Sequence, residues 1–315
     1  MIQVEFSKDR REKLLSRNSE LKAEIDSWKF PYHFIDFETM TAAIPLYKGR
    51  RPYEQVAFQF SHHLVTADGT ISHATQYLNF ERGKFPNFEF LRALKTAIGN
   101  DQGTIFRYHN HENTVLNDIR RQILDLEEPL PDASELVEFI DSITIRKQDQ
   151  KVVHEGSRAM VDLCQVVDRY YFHRDMGGRT SIKKVLPAIL NDSTYLQDRY
   201  SNSINNLGIS SLARGNYVLV LKDADGKVID PYKSLPPVFD DVKIEVDPEE
   251  DGIVIEGELC EGGAAMIAYS RLQFSEVTEY QRKQTSEALL RYCELDTFAM
   301  VLIWEYWVND LLKRK

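Results

Sequence analysis

The chain has 315 residues, of which 43% are hydrophobic and 28% are charged, and its formal net charge at pH 7 is −10. This composition is typical of a globular protein and excludes a disordered or fibrous one. Runs of 18 apolar residues do not occur, and the N-terminal segment lacks the pattern of a secretory signal, so we expect a cytoplasmic protein with no membrane partner. The three cysteines form no Cys-x-x-Cys pair, which favours neither a disulfide framework nor a zinc cluster.

The negative charge is concentrated in one segment. Residues 240–261 contain ten acids and one base, whereas the rest of the chain contains 38 bases and 39 acids. A nearly neutral body can still present a basic groove, so the acidic total excludes only a uniformly basic nucleic-acid binder. We interpret the acidic segment itself as a solvated loop or hairpin.

Strand and helix patterns alternate in the first half of the chain. The predicted elements, in order, are a charged lead-in helix over 8–27, strands over 32–39, 56–65 and 71–79, a helix from 87, a strand over 103–109 and a helix over 111–126. An Ala-Asp-Gly-Thr turn joins the second and third strands, which is typical of an antiparallel hairpin. The order predicts an α/β fold in which a hairpin-bearing sheet acquires crossover helices.

The second half is predicted to be less regular. Helical spacing is present over 133–147, 161–172 and 276–313, and residues 191–262 contain short β-prone runs separated by Gly, Asp and Pro. We therefore expect residues 1–30 to form a lead-in helix or linker. Residues 31–315 are expected to form one domain with an irregular insertion at about 191–262.

Two acids interrupt the apolar and aromatic pattern of the first predicted strand of the domain. Alternating strand geometry sends Asp36 and Glu38 to one face, and Ile35 and Phe37 to the other. Two adjacent carboxylates repel each other and are costly to desolvate unless a cation binds them. Mg²⁺ or Mn²⁺ would supply that charge, whereas the alternative is an edge strand whose acids face water.

A second pattern lies in the last predicted helix. An offset of four residues places Tyr292 and Asp296 on one face, about one turn apart. A phenol and a carboxylate in this arrangement could share one metal-bound water. The alternative is a helix in which Asp296 acts as a cap or pairs with Arg291.

Together, the Asp-x-Glu and Tyr-x-x-x-Asp patterns resemble the motifs of the DEDD superfamily of exonucleases. The resemblance implies a ribonuclease H-like fold, with a mixed sheet flanked by helices, and DEDDy-type 3′–5′ exonuclease activity that uses two Mg²⁺ or Mn²⁺ ions. It makes Asp36, Glu38 and Asp296 metal ligands, and it gives Tyr292 the catalytic role of orienting the attacking water.

The middle motif of the superfamily is matched less closely. The segment from Tyr108 to Leu116 resembles it in a form that carries Glu112 where the superfamily usually has Asp. The resemblance therefore makes Glu112 a metal ligand. Asp162, which precedes a predicted helix, competes for that role, although such a residue is more often a helix N-cap.

A closer resemblance, covering about residues 32–310, is to the bacterial domain of unknown function 2779 family. It rests on residues 36–63, 160–190, 262–269 and 289–304. Its longer members commonly carry a PD-(D/E)xK-type nuclease domain.

Three residues are predicted to bind substrate: Thr39, next to the acidic motif, Arg51, in the loop that follows the acidic strand, and Lys183, in a segment that resembles a Ser-Leu-Lys element near the substrate of related exonucleases. The alternatives are a polar surface loop for Arg51 and a solvated side chain for Lys183.

The predicted function is metal-dependent 3′–5′ exonuclease activity on DNA or RNA, with a single-stranded 3′ end as the expected partner. One alternative is a catalytically inactive ribonuclease H-like module that binds nucleic acid or a partner protein. Another is a phosphoryl hydrolase that acts on small nucleotides, because the chemistry would be the same. The sequence does not separate DNA from RNA, since that choice depends on contacts to the 2′-hydroxyl.

Overall fold

A computed structural model describes residues 14–79, 81–235 and 262–314. The acidic segment at 240–261, predicted to be a solvated loop or hairpin, lies outside these residues. The strands are β1 (Leu14–Ser16), β2 (Tyr32–Met40), β3 (Val56–Val65), β4 (Ile71–Leu78), β5 (Ile105–Arg107), β6 (Ile145–Gln148), β7 (Lys151–Glu155), β8 (Val161–Asp162) and β9 (Tyr171–His173). The helices are α1 (Asn18–Asp26), α2 (Asn87–Ile98), α3 (His111–Leu124), α4 (Ala133–Ile143), α5 (Leu163–Tyr170), α6 (Ile182–Asp192), α7 (Thr194–Tyr200), α8 (Gly262–Phe274) and α9 (Glu279–Asn309).

Five strands form the central mixed sheet, in the order β4-β3-β2-β5-β8. The hairpin strands pair antiparallel, β2 with β3 and β3 with β4, whereas β5 pairs parallel with both β2 and β8. The parallel pairs require crossover connections, and helices supply them on the way from β4 to β5 and from β5 to β8. The predicted α/β class and the predicted hairpin are therefore confirmed.

Each face of the sheet packs against its own helices. Ile35 and Phe37 of β2 contact a core built with the apolar faces of α2, α3 and α4. Phe34 and Met40, which point the opposite way, belong to a larger core that includes α6, α8 and the C-terminal half of α9. Because side chains alternate along a strand, Asp36 and Glu38 share the face of β2 that meets α9.

The helix of the lead-in segment is shorter than predicted, and the segment packs onto the domain. Residues 14–16 form β1, which pairs antiparallel with β9, and the helix covers only Asn18–Asp26. Leu21, Ile25 and Trp28 are buried in the larger core. The prediction of one helix over 8–27 is thus wrong for residues 14–17, because pairing with a distant strand determines their conformation.

Two predicted helices are also interrupted by strands. The helix predicted over 133–147 ends at Ile143, and a β6–β7 hairpin follows, turning at Asp149 and Gln150 with positive φ. The helix predicted over 161–172 is α5 alone, flanked by β8 and β9. After Ile143 the chain forms a local hairpin, whereas β8 and β9 pair with the distant strands β5 and β1. β-branched and aromatic residues, which favour strands, are present in all of these pairs.

The described part of the predicted insertion, residues 191–235, begins with the end of α6 and α7. Beyond these it contains short 3₁₀ turns and isolated bridges, including one between Ser203 and Val218. Its buried residues, among them Ile204, Val220 and Tyr232, belong to the larger core. Helix α8, which follows the gap, was not predicted as a helix.

Within the described ranges, even the 31-residue helix α9 lacks the continuous apolar length that a bilayer crossing requires.

Replacing Leu21 tests whether the lead-in segment is part of the domain. Leu21 is completely buried, so Leu21→Ala is expected to lower the free energy of unfolding by about 2 to 5 kcal/mol. Urea denaturation followed by circular dichroism measures this change. Leu124→Ala, on an exposed side chain, is the control and should change it by less than about 0.5 kcal/mol. Equal, small effects of both substitutions would mean that the segment is a linker.

Candidate functional site

Strand β2 carries two of the candidate carboxylates. Asp36 is partly exposed and Glu38 is buried, and both lie on the face that meets α9. The pairing of β2 with β3 shifts register between Glu38 and Thr39. Such irregularities bend a strand and redirect its side chains, and here one follows the second acid immediately.

Helix α9 brings a third carboxylate to the same place. Asp296 is buried, and one ligand atom each from Asp36, Glu38 and Asp296 lie within 4.8 Å of one another. We call these three residues the acidic cluster. The Cys293 thiol lies 3.5 Å from both the main-chain oxygen and Oδ2 of Asp36, which connects the helix to the strand. Tyr292 is buried one turn before Asp296, as predicted from the spacing.

Glu112 lies beside the acidic cluster. It is buried in the first turn of α3. The Phe37 amide of β2 donates a hydrogen bond to its carboxylate, which lowers the pKa of Glu112. Its charge raises the pKa values of Asp36 and Glu38. Its Oε2 atom is buried with no hydrogen-bond partner. A buried carboxylate oxygen without a partner is costly, so this atom marks a position where a cation would be stabilising.

The four acids share a common electrostatic environment. Burial is the largest cause that raises each pKa: well above the usual value for Asp36 and Glu38, to about 8 for Glu112 and to about 6 for Asp296. For Asp36 and Glu38, repulsion from the neighbouring carboxylates raises the pKa further. Without a compensating cation, the folded protein therefore resists full ionisation of this group.

Asp162, the competitor of Glu112, is engaged elsewhere. It caps α5 by accepting hydrogen bonds from the amides of Cys164 and Gln165, and it also accepts one from the His109 amide. Its Oδ2 forms a buried ion pair with Arg107 at 2.9 Å. Asp162 is therefore an N-cap whose oxygens have protein partners. Glu112, in contrast, has an oxygen without a partner.

Two side chains from outside the predicted motifs lie beside the acidic cluster. The Lys183 ammonium lies over the rings of Tyr292 and Tyr232, at 5.2 and 5.7 Å from their centroids, and lowers the pKa values of Glu38 and Asp296. The Tyr232 hydroxyl donates a hydrogen bond to Asp296 Oδ1 at 2.5 Å. Lys183 was predicted to bind substrate, but Tyr232 was not singled out, because nothing in its local sequence indicates its contact with α9.

A buried polar network fixes α9 on the hairpin strands below the cluster. The Ser61 hydroxyl is 3.0 Å from His73 Nε2 and 2.8 Å from Thr297 Oγ1, and His63 Nδ1 is 2.8 Å from that same Thr297 atom. His73 Nδ1 in turn lies 3.3 Å from Glu294 Oε2. The contacts of these histidines are with polar groups of the core, which gives them a structural role.

The other two residues predicted to bind substrate make local contacts. Thr39 Oγ1 accepts a hydrogen bond from Gln55 and lies 3.1 Å from His111 Nε2. Arg51 is largely exposed and pairs with Asp125 at 3.3 Å, across a groove of about 630 Å³ between the loop before β3 and α3. Five acids and four bases line this groove, so its charge does not favour a phosphate backbone.

Residues 33–181 match the family described as Domain of unknown function (DUF2779). The match supports membership of that family. It is shorter than the resemblance over 32–310, and it contains Asp36, Glu38 and Glu112 but not Lys183, Tyr292 or Asp296. The searches of curated proteins and of solved structures gave no match.

The raised pKa of Glu112 predicts how stability depends on pH in the absence of metal. An unfolded chain ionises Glu near 4.5, whereas folded Glu112 keeps its proton up to about 8. Between these values the folded state binds more protons, so stability falls as pH rises. Glu112→Gln removes the contribution of Glu112, while those of the other three acids remain, so the fall in stability should be smaller in this variant. Glu112→Gln is expected to be more stable than the parent protein above about pH 8, as measured by urea denaturation with EDTA present.

The matched control is Glu127→Gln, an exposed acid just beyond α3, which should leave the pH profile unchanged. If Glu112→Gln followed the parent profile, Glu112 would be ionised normally in the folded protein.

Proposed function

We propose that this protein is a metal-dependent 3′–5′ exonuclease of the DEDDy type with a ribonuclease H-like fold. The observation that carries the proposal is the convergence of Asp36, Glu38 and Asp296 within 4.8 Å, next to the unpartnered Oε2 of Glu112. These acids come from a strand, a following helix and the last long helix, which are the elements that the resemblance assigns to the four ligands.

The sheet topology supports the ribonuclease H-like part of the proposal. The five strands of the sheet follow one another along the chain as β2, β3, β4, β5 and β8. If they are numbered 1 to 5 in that order, their order in space is 3-2-1-4-5, and only strand 2 (β3) runs antiparallel to the others. This is the order of ribonuclease H-like folds. The first strand is then central, and it bears Asp36 and Glu38.

The four acids fit a hard divalent cation. All of them offer carboxylate oxygens, the ligands that Mg²⁺ and Mn²⁺ prefer. Their raised pKa values mean that ionising all four together is costly, and a bound cation would offset that cost. Asp36, Glu38, Glu112 and Asp296 would hold the metal. Two bound ions would activate a water for attack and neutralise charge on the scissile phosphate.

Tyr292 would position the attacking water. Burial and the nearby carboxylates of Asp296, Glu38 and Asp36 raise the pKa of its hydroxyl far above 10. The hydroxyl therefore stays protonated at neutral pH and orients water by hydrogen bonding rather than by taking a proton. Lys183, whose charge favours ionisation of Glu38 and Asp296, lies where it could also meet a substrate phosphate.

Removal of a metal ligand tests the proposal directly. Asp36→Asn and Glu38→Gln keep the size of each side chain but remove its charge, so both are expected to abolish Mn²⁺-dependent nucleotide release. The measurement is a time course on end-labelled DNA and RNA, single- and double-stranded, with Mn²⁺ or EDTA.

The control is Glu287→Gln, a surface acid on α9 that pairs with Arg291 and should keep full activity. Binding of nucleic acid without cleavage by the parent protein would instead indicate an inactive binding module. Release of phosphate from free nucleotides alone would indicate a small-nucleotide hydrolase.

Tyr292→Phe tests the role of the hydroxyl while it keeps the packed ring. We expect kcat to fall by about 10² to 10⁴, since a single group that positions water or transfers a proton contributes this much. Mn²⁺ affinity and nucleic-acid binding should stay close to those of the parent protein. Tyr306→Phe is the control, because its buried hydroxyl on the same helix binds Asp192 instead. Cleavage at the normal rate, or loss of metal binding, would contradict this role.

A further inference from the structure

One side chain of the insertion, Tyr232, forms a hydrogen bond with a member of the acidic cluster. Tyr232 lies on the 3₁₀ turn Pro231–Ser234 and is 5% exposed. Its hydroxyl donates to Asp296 Oδ1 at 2.5 Å, and its ring lies 6.4 Å from the ring of Tyr292, centroid to centroid. The contact joins residues 64 positions apart in the sequence.

The turn that carries Tyr232 is held on the body of the domain. Asp230 caps it by accepting a hydrogen bond from the Tyr232 amide at 3.1 Å. The preceding residue pairs with Leu221, and the Val228 amide donates to the Asn191 side chain on α6. The backbone of the turn is therefore held by contacts that do not involve Asp296.

We propose that Tyr232 is a positioning residue for the metal site, whose hydroxyl holds one oxygen of Asp296 and so orients the carboxylate toward Asp36 and Glu38. This inference rests on the proposed function. Groups that hydrogen-bond to a metal ligand fix its orientation, and their loss typically weakens metal affinity by about 10- to 100-fold. A phenol suits this role because it is a neutral donor that adds no charge to a crowded acidic cluster.

The contacts of Tyr232 differ from those expected of a residue that occupies the metal site in place of a cation. Tyr232 contacts Oδ1 of a single acid, and the carboxylate of Glu112 keeps its unpartnered oxygen. A residue that takes the place of a cation would have to satisfy several of these oxygens, which one hydroxyl donor cannot do. Tyr232 therefore leaves the shared space of the acids to the metal.

The test is Mn²⁺ binding measured by isothermal titration calorimetry on the full chain. Tyr232→Phe is expected to raise the Kd for Mn²⁺ by about 10- to 100-fold. Its matched control is Tyr200→Phe, which removes a buried tyrosine hydroxyl bonded to Glu305, another carboxylate of α9. Tyr200→Phe should lose a comparable hydrogen bond yet bind Mn²⁺ like the parent protein.

A rate measurement adds a readout that general destabilisation would not give. Raising the Mn²⁺ concentration should restore cleavage by Tyr232→Phe, because its defect is in metal affinity. The same addition should not restore Tyr292→Phe, whose defect is in water positioning.

The outcomes distinguish the two proposals. If the parent protein binds no Mn²⁺, the proposed function fails and this inference fails with it. If the parent protein binds and Tyr232→Phe binds equally well or more tightly, only the positioning role is overturned, and tighter binding would show that Tyr232 competes with the ion. If Tyr232→Phe does not fold, Asp230→Ala loosens the turn while keeping the hydroxyl. Weaker Mn²⁺ binding by that variant supports the proposal, and unchanged binding overturns it.

Discussion

The structure around the site has to withstand the mutual repulsion of carboxylates that are largely shielded from water. Asp36, Glu38 and Asp296 are held together, with Glu112 beside them, at a depth where each negative charge is poorly solvated. A fold keeps such an arrangement only when the surrounding elements are rigid enough to resist it. A central strand, the first turn of a helix and a long packed helix supply that rigidity.

Helix α9 contributes most to this rigidity. It begins with a capping box between Thr278 and Gln281, and its C-terminal half is buried on nearly every side. At the level of the cluster it is fixed through Thr297 and Glu294, which contact histidines and a serine of the hairpin strands. Asp296 therefore has little freedom to move away from the acids of β2, and its only adjustable feature is the rotation of its carboxylate.

Local sequence patterns were sufficient for the hairpin-bearing half of the sheet. Alternating side chains located β2, β3 and β4 to within one residue, and helical spacing brought Tyr292 and Asp296 to one face. What the sequence could not supply depends on distant partners. Strand β1 exists because β9 pairs with it, and Tyr232 matters because a turn in an irregular segment places it on α9. Such contacts leave no periodic signal in the chain.

The family match ends before the helices that complete the larger core. Residues 33–181 contain the strands of the central sheet except Tyr32, the first residue of β2. The aromatic face that bears Phe34, Phe58 and Phe106 belongs to a core that also includes α8 and α9, and the ring of Phe58 stacks on Tyr269 of α8. A fragment ending at Ser181 would expose that aromatic face to water and would lose one of the four acids. The stretch that matches the family is therefore shorter than the stretch whose side chains form the core, because a sheet needs cover on both faces.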